Sequence, residues 1–328
     1  MRTRQLGVVM RILVAGATGV IGRRLVPLLV QAGHEVIGIT RTLAKSQGLR
    51  LMGAEAEVLD VLDANAVMAA LRKANPDVVV HELTAIPERL NVRQFDREFE
   101  LTNRLRTQGT DNLIVAAQAA GTSRFVAQSY AAWPYTRVGG PIKSESDPLD
   151  PHPPAAMRKT LEAIVHLEVA VLGAQGMKGI VLRYGAFYGP GTSFGLGGSV
   201  FEDIRRRRFP VVDGGGGVWS FVHIDDAAQA TLAAVERDVS GIYNITDDQP
   251  ARVSEWLPYL AEALAAPPPR HVPRFLARLA VGEPGIVLMT EVRGASNTKA
   301  KRELSWHPHW SSWRDGFLEE IAPKRRAG

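Results

Sequence analysis

The run Val14-Ala15-Gly16-Ala17-Thr18-Gly19-Val20-Ile21-Gly22 constrains this chain more than any other segment. It follows the apolar stretch 11–15 and leads into a helical pattern, so its glycines sit where a strand turns into a helix. Gly16 permits the tight turn, Gly19 lets backbone N–H groups approach a ligand at the positive helix end, and Gly22 allows close packing of helix on strand. Such a turn cradles a pyrophosphate, and the expected ligand is a dinucleotide held by Gly16, Thr18, Gly19, Val20, Ile21 and Gly22.

Short β-branched runs at 11–15, 35–40, 55–59, 77–80, 124–128 and 179–183 alternate with longer helical stretches, the pattern of a doubly wound parallel sheet. The two longest helical stretches are 101–120 and 155–173, expected to pack on the sheet or on a second subunit. From Tyr188 the texture changes to glycine-rich loops and a proline-rich connector at 267–273. The expected organisation is an N-terminal extension at 1–9, a dinucleotide-binding domain at 10–187 to which 221–246 partly returns, and a smaller C-terminal α/β substrate lobe at 188–328.

With no cysteine, a disulfide framework, a thiolate metal site and a cysteine nucleophile are excluded. His307 and His309 lack a third ligand at suitable spacing, so no metal is expected. Thirty-nine Lys and Arg against 34 Asp and Glu leave +5, which selects no partner. The run Arg205 to Arg208 has no interleaved aromatics and reads as a solvated helix end rather than a nucleic-acid patch. No apolar window reaches the roughly 18 residues of a membrane span, and the apolar stretch near the N-terminus is broken by Arg11, so a cytoplasmic protein is expected.

The second strand ends on Thr40-Arg41, where a carboxylate would hold the ribose 2′-hydroxyl of NAD. A cation there favours a 2′-phosphate, so NADP is expected, with NAD as the alternative if Arg41 only stacks on adenine. Asp60 and Val61 would lie beside the adenine, and Leu83, Thr84 and Ala85 beside the nicotinamide ribose.

Several blocks in order carry a resemblance: the glycine run, Val80-His81, Asn103 with Gly109-Thr110-Asp111-Asn112-Leu113, Leu182-Arg183-Tyr184-Gly185, Tyr188-Gly189-Pro190-Gly191, Phe221-Val222-His223-Ile224-Asp225-Asp226 and Tyr243-Asn244-Ile245. On these the chain resembles the extended short-chain dehydrogenase/reductases of the NAD(P)-dependent epimerase/dehydratase type, from residue 10 to about 320. The resemblance implies a Rossmann cofactor domain with Tyr184 among its cofactor contacts, Asn103 and Ser129 among the catalytic group, a small substrate lobe, and a homodimer.

The catalytic pattern of that family, a Tyr-x-x-x-Lys pair with a Ser or Thr, is broken here. None of the six tyrosines has a lysine four residues on. Aligned on Leu161-Glu162, the tyrosine slot holds Pro154 and the lysine slot Arg158, while the usual Ser/Thr slot after Ser129 holds Tyr130. Three outcomes stay open: Tyr130 donates the proton with Arg158 kept as the ribose-binding cation; Tyr135 or Tyr188 donates it; or the chain binds a dinucleotide without turnover. Trp219 stands where nucleotide-sugar enzymes of the family carry a diphosphate-clamping arginine, so a hydrophobic ketone or secondary alcohol is the expected substrate. The alternatives are an epimerase or dehydratase with transient oxidation, and a non-catalytic dinucleotide-binding protein.

Overall fold

The computed structural model describes residues 8–131 and 133–322. The expected extension at 1–9 therefore falls almost wholly outside the described residues, as does the end of the C-terminal segment.

Seven parallel strands form the central sheet: β1 (Arg11–Ala15), β2 (Glu35–Thr40), β3 (Glu55–Val58), β4 (Val78–His81), β5 (Arg124–Tyr130), β6 (Lys178–Tyr184) and β7 (Gly241–Ile245). Their order is β3-β2-β1-β4-β5-β6-β7. The order reverses between β1 and β4, and at such a switch point the loops leaving the carboxyl ends diverge and open a crevice. The inner strands are buried on both faces, which is why β1 and β4 read as nearly continuous apolar runs, whereas the edge strand β3 is half-exposed and carries Glu55 and Glu57. Ile12, Val14, Val80, Val126 and Leu182 pack toward helices Gly22–Gln31 and Ile224–Glu236. Leu13, Val79, Phe125, Ala127 and Val181 pack toward Ala64–Ala74, Thr110–Ala119 and Arg158–Leu172.

Beyond the sheet a second core gathers Tyr188, Phe194, Phe201, Phe221, Trp256, Trp313 and Phe317. A smaller cluster of Phe95, Phe99, Trp133, Met157, Leu161 and Ile164 packs with Val287 and Val292 and so joins the two. The architecture is a Rossmann sheet with a smaller C-terminal lobe.

The stretch expected as one helix over 101–120 is interrupted. A helical segment Glu100–Arg104 passes into a π-helical turn, Leu105–Gly109, before the helix Thr110–Ala119. Wider turns of this kind re-aim side chains and occur often at functional sites. Here the turn carries Arg106, which is buried and reaches the cleft described below.

Candidate active site

A cleft of about 840 Å³ runs along the carboxyl ends of the strands from the glycine loop to the smaller lobe. At its first end Gly16 adopts φ +97°, and a Cβ there would lie 2.6 Å from the Glu82 carbonyl oxygen. A Cβ on Gly22 would lie 2.3 Å from the Gly16 carbonyl oxygen. Only glycine closes this turn against both β4 and the helix. Thr18, Gly19, Val20 and Ile21 line the same end, with Gly22 packed beneath. Arg41 and Lys45 are both exposed at its rim, and Val61 closes the wall. Asp60 is not on the wall; its carboxylate accepts the Leu62 N–H at 3.0 Å and shapes the turn.

The middle is formed by Glu82, Leu83, Thr84 and Ala85. The Ala85 N–H donates to Thr102 Oγ1 at 3.0 Å, and the Leu83 N–H donates to His81 Nδ1 at 3.2 Å. Burial pulls the His81 imidazole down to about 4, so it is neutral, and its Nε2 lies 3.3 Å from the Leu105 carbonyl. Burial likewise pushes the Glu82 carboxyl up to about 8, so it carries its proton at neutral pH. Tyr184 stands beneath this floor rather than on the wall, its hydroxyl between Glu82 and Thr231.

The far end is aromatic. Phe95 and Phe99 stack at 4.5 Å, Trp133 meets Phe95 edge-on at 5.3 Å, and Phe194 meets Trp219 at 6.1 Å. The Trp219 indole N–H is taken by the Leu288 carbonyl at 2.8 Å, which leaves its apolar surface to the cleft. Tyr130, Arg106 and Thr160 are polar residues of this wall. Burial raises the Tyr130 hydroxyl to about 12, against the opposing pull of the Arg106 charge.

The structure separates the tyrosines on which a proton donor could rest. Tyr130 lines the cleft. Tyr188 is fully buried in the second core against His223 and Phe317, and burial pushes its hydroxyl far above the usual phenol range. Tyr135 is fully buried too, donating to Asn244 Oδ1 at 2.7 Å and accepting from Arg183 at 2.9 Å. Ser129 points behind the strand and donates to Glu168 at 2.7 Å. Arg158 lines a separate hollow with Pro151, Pro153 and Val165 and does not reach the cleft. Asn103 stands one layer back, donating to Thr160 Oγ1 at 3.0 Å; Thr160 in turn donates to Asp96 Oδ1 at 2.7 Å. Arg106, Lys45, Glu82 and Thr160 are cleft residues that the sequence reading did not single out. For Arg106 the signal was present: Phe95, Phe99, Thr102 and Arg106 recur at three-to-four spacing and are all buried.

Among the described residues no three His, Asp or Glu side chains converge on a metal site, and no helix is long and apolar enough to cross a membrane.

The chain is similar over nearly its whole length to a 3-diazoavenalumate denitrifying reductase of a Streptomyces species, with 42% identity over 315 residues, 95% of this chain and 100% of that one. A 4-hydroxy-2-methyl-3-oxo-4-farnesyl-3,4-dihydroquinoline-1-oxide ketoreductase of Stigmatella aurantiaca is 29% identical over 256 residues, 77% of this chain and 73% of that one. Among solved structures the fold is shared with the Thermus thermophilus UDP-glucose 4-epimerase in complex with NAD, at TM-score 0.73 and 24% identity, covering 97% of this chain and 100% of that one. The family model for the NAD dependent epimerase/dehydratase family matches residues 12–246, and the chain belongs to that family.

Proposed function

We propose that the protein is an NAD(P)H-dependent oxidoreductase that reduces a hydrophobic aromatic acceptor by hydride transfer. The observation that carries this reading is the continuity of one cleft from the glycine loop to the aromatic end. The residues present fit a nicotinamide dinucleotide, because Gly16 and Gly22, whose Cβ atoms would collide with the Glu82 and Gly16 carbonyls, fold the loop tightly at the start of a ten-residue helix and so bring its Thr18–Ile21 segment to the cleft wall. When bound, such a cofactor supplies the hydride. Thr18, Gly19, Val20 and Ile21 hold its pyrophosphate, and Leu83, Thr84 and Ala85 its nicotinamide ribose. Arg41 and Lys45, two cations at one rim, support NADP over NAD.

Two acceptor chemistries suit the far end. A ketone needs a proton at its oxygen as hydride reaches the carbon, and Tyr130 is the residue that holds one there. An arenediazonium ion needs none: hydride forms the new C–H bond while the C–N bond breaks and N₂ leaves with its electron pair. The second reading is favoured by the denitrifying reductase relative, which aligns with 95% of this chain, and by Tyr130 being held near 12, a weak acid without a lysine partner.

The test is net oxidation of NADPH or NADH with aryl ketones and with arenediazonium salts, and identification of the product. Turnover with either acceptor is the expected result. A tightly retained cofactor with no net redox would transfer the protein to the epimerases and dehydratases, and failure to bind either dinucleotide would remove the reading altogether. Val115, Val165, Val169 and Leu172 are exposed on two helices in mutual contact, which supports a homodimer; sedimentation reads it directly.

A further inference from the structure

Arg106 is 6% exposed, lies on the π-helical turn, and lines the aromatic end of the cleft. Its Nη1 is fully buried with no hydrogen-bond partner among the described residues. A buried guanidinium without a partner is costly, because its hydration is lost and nothing replaces it.

The surrounding acids do not supply the missing partner. Glu168 lies close enough to act on Arg106 through space, but its two oxygens are already taken by Arg183, at 2.7 Å from Nε and 2.5 Å from Nη2, and by the Ser129 hydroxyl. Of the two acids that line the cleft, Glu82 is kept protonated by burial, and Glu88 is exposed and makes no hydrogen bond or ion pair with Arg106 among the described residues. His81 is neutral. The Arg183–Glu168 pair cancels, so one positive charge is left over at the inner wall of a cleft whose neighbouring surfaces are Phe95, Phe99, Trp133 and Trp219. The guanidinium carbon sits 5.9 Å from the centre of the Phe99 ring, which holds it over an aromatic face without giving it an acceptor.

We propose that Arg106 is the binding site for the carboxylate of the substrate, so that the acceptor reduced in this cleft is an aromatic carboxylic acid rather than a neutral aromatic molecule. A flat aromatic body fills the space between the ring walls, and a carboxylate supplies the two acceptor oxygens that a guanidinium fork matches. Specificity follows from the same geometry, since a neutral ester or amide leaves the buried charge unpaired. This inference rests on the hydride-transfer reading of the cleft.

The experiment is titration of the protein, saturated with NADP⁺, with cinnamate and with methyl cinnamate, followed by calorimetry and by the fluorescence of the wall tryptophans. The acid should bind at least about tenfold more tightly than the ester. Arg106→Gln should remove that preference by weakening binding of the acid while leaving affinity for NADP⁺ unchanged, and Arg106→Lys should restore part of it. The melting temperature of Arg106→Gln should match or exceed that of the parent, because the variant removes an unpaired buried charge. Equal binding of acid and ester by the parent would overturn the inference, as would a loss in Arg106→Gln confined to NADP⁺, or a steep fall in stability of both variants. Failure of the parent to bind NADP⁺ or NAD⁺ would instead defeat the underlying hydride-transfer reading, which makes the two failures distinguishable.

Discussion

Tyr184 donates its hydroxyl to Oε1 of Glu82 at 3.0 Å, joining two residues 102 positions apart beneath the floor of the cleft. The pair links the cleft wall just after β4 to the buried end of β6, and a second hydroxyl, Thr231 Oγ1, lies 2.6 Å from Tyr184. One hydrogen bond does not replace the water that a carboxylate loses on burial, so Glu82 is protonated up to about pH 8 in the folded protein and only up to about 4.5 in the unfolded chain. The folded state therefore binds the extra proton between those values, and stability falls as pH rises through that window. The slope is on the order of 1.4 kcal/mol for each pH unit over which the two states differ. Burial raises Asp226 and Asp247 in the same direction, so the parent should lose stability from several groups at once. Glu82→Gln isolates one of them. Its melting temperature relative to the parent should climb steadily from pH 5 to pH 8, and a difference independent of pH would refute the assignment.

Glu168 and Arg183 make a second prediction. Glu168 projects from the helix Arg158–Leu172 and accepts from Ser129 on β5 and Arg183 on β6. Arg183 also donates to Tyr135, which donates to Asn244 on β7, so one polar chain ties three adjacent strands. Removing a single member strands a buried charge. Glu168→Ala should cost about 3–5 kcal/mol in denaturant unfolding, more than half of it recovered when Arg183→Met is added, because the double change removes both members of the pair and strands neither. A double variant no more stable than Glu168→Ala alone would count against the argument.

Cofactor choice turns on the rim beside β2. Arg41 and Lys45 flank the position where a ribose 2′-substituent emerges in folds of this order. A charge-assisted bond to a 2′-phosphate should favour NADPH by about ten- to a hundredfold, and Arg41→Asp together with Lys45→Ala should reverse the preference. Titration with both dinucleotides decides it, and equal affinity in the parent would end the argument from these cations.

The sheet was legible because its strands are short, β-branched and punctuated by turn residues: the expected segments 11–15 and 35–40 coincide with β1 and β2, and β7 falls within the stretch 221–246 expected to return to the domain. The glycine loop was legible for the same reason, since backbone geometry dictates residue type there. The far end of the cleft was not. Alignment on Leu161-Glu162 points to Arg158, but the helix begins at Arg158 and turns that side chain into a separate hollow, while Thr160 lines the cleft. Arg106 shares the three-to-four spacing of Phe95, Phe99 and Thr102, but that spacing marks only a buried position, and the π-helical turn Leu105–Gly109 that carries the side chain to the cleft is not read from it. Tyr188 matched a sequence block, yet its ring is a core element whose hydroxyl sits against the helix at Gly316, a packing that only tertiary contacts reveal.

Tyr130 carries the last prediction, and it discriminates between acceptors. It stands at the carboxyl end of β5, on the cleft wall, with the Arg106 charge beside it and with no lysine to draw its acidity toward neutral pH. Tyr130→Phe keeps the ring and removes only the hydroxyl. If the acceptor is a carbonyl, turnover should fall by about 10²-fold or more while affinity for the cofactor is unchanged, because the proton donor is lost and nothing else is. If the acceptor is an arenediazonium ion, the same variant should retain turnover within about twofold, since hydride capture and loss of N₂ require no donor. The two substrates can be run on one preparation of one variant, so the comparison is internal. Loss of both activities would show that Tyr130 positions the aromatic body rather than the proton, and retention of both would leave ketone reduction to a donor other than Tyr130, with protonated Glu82 the next titratable group on the wall.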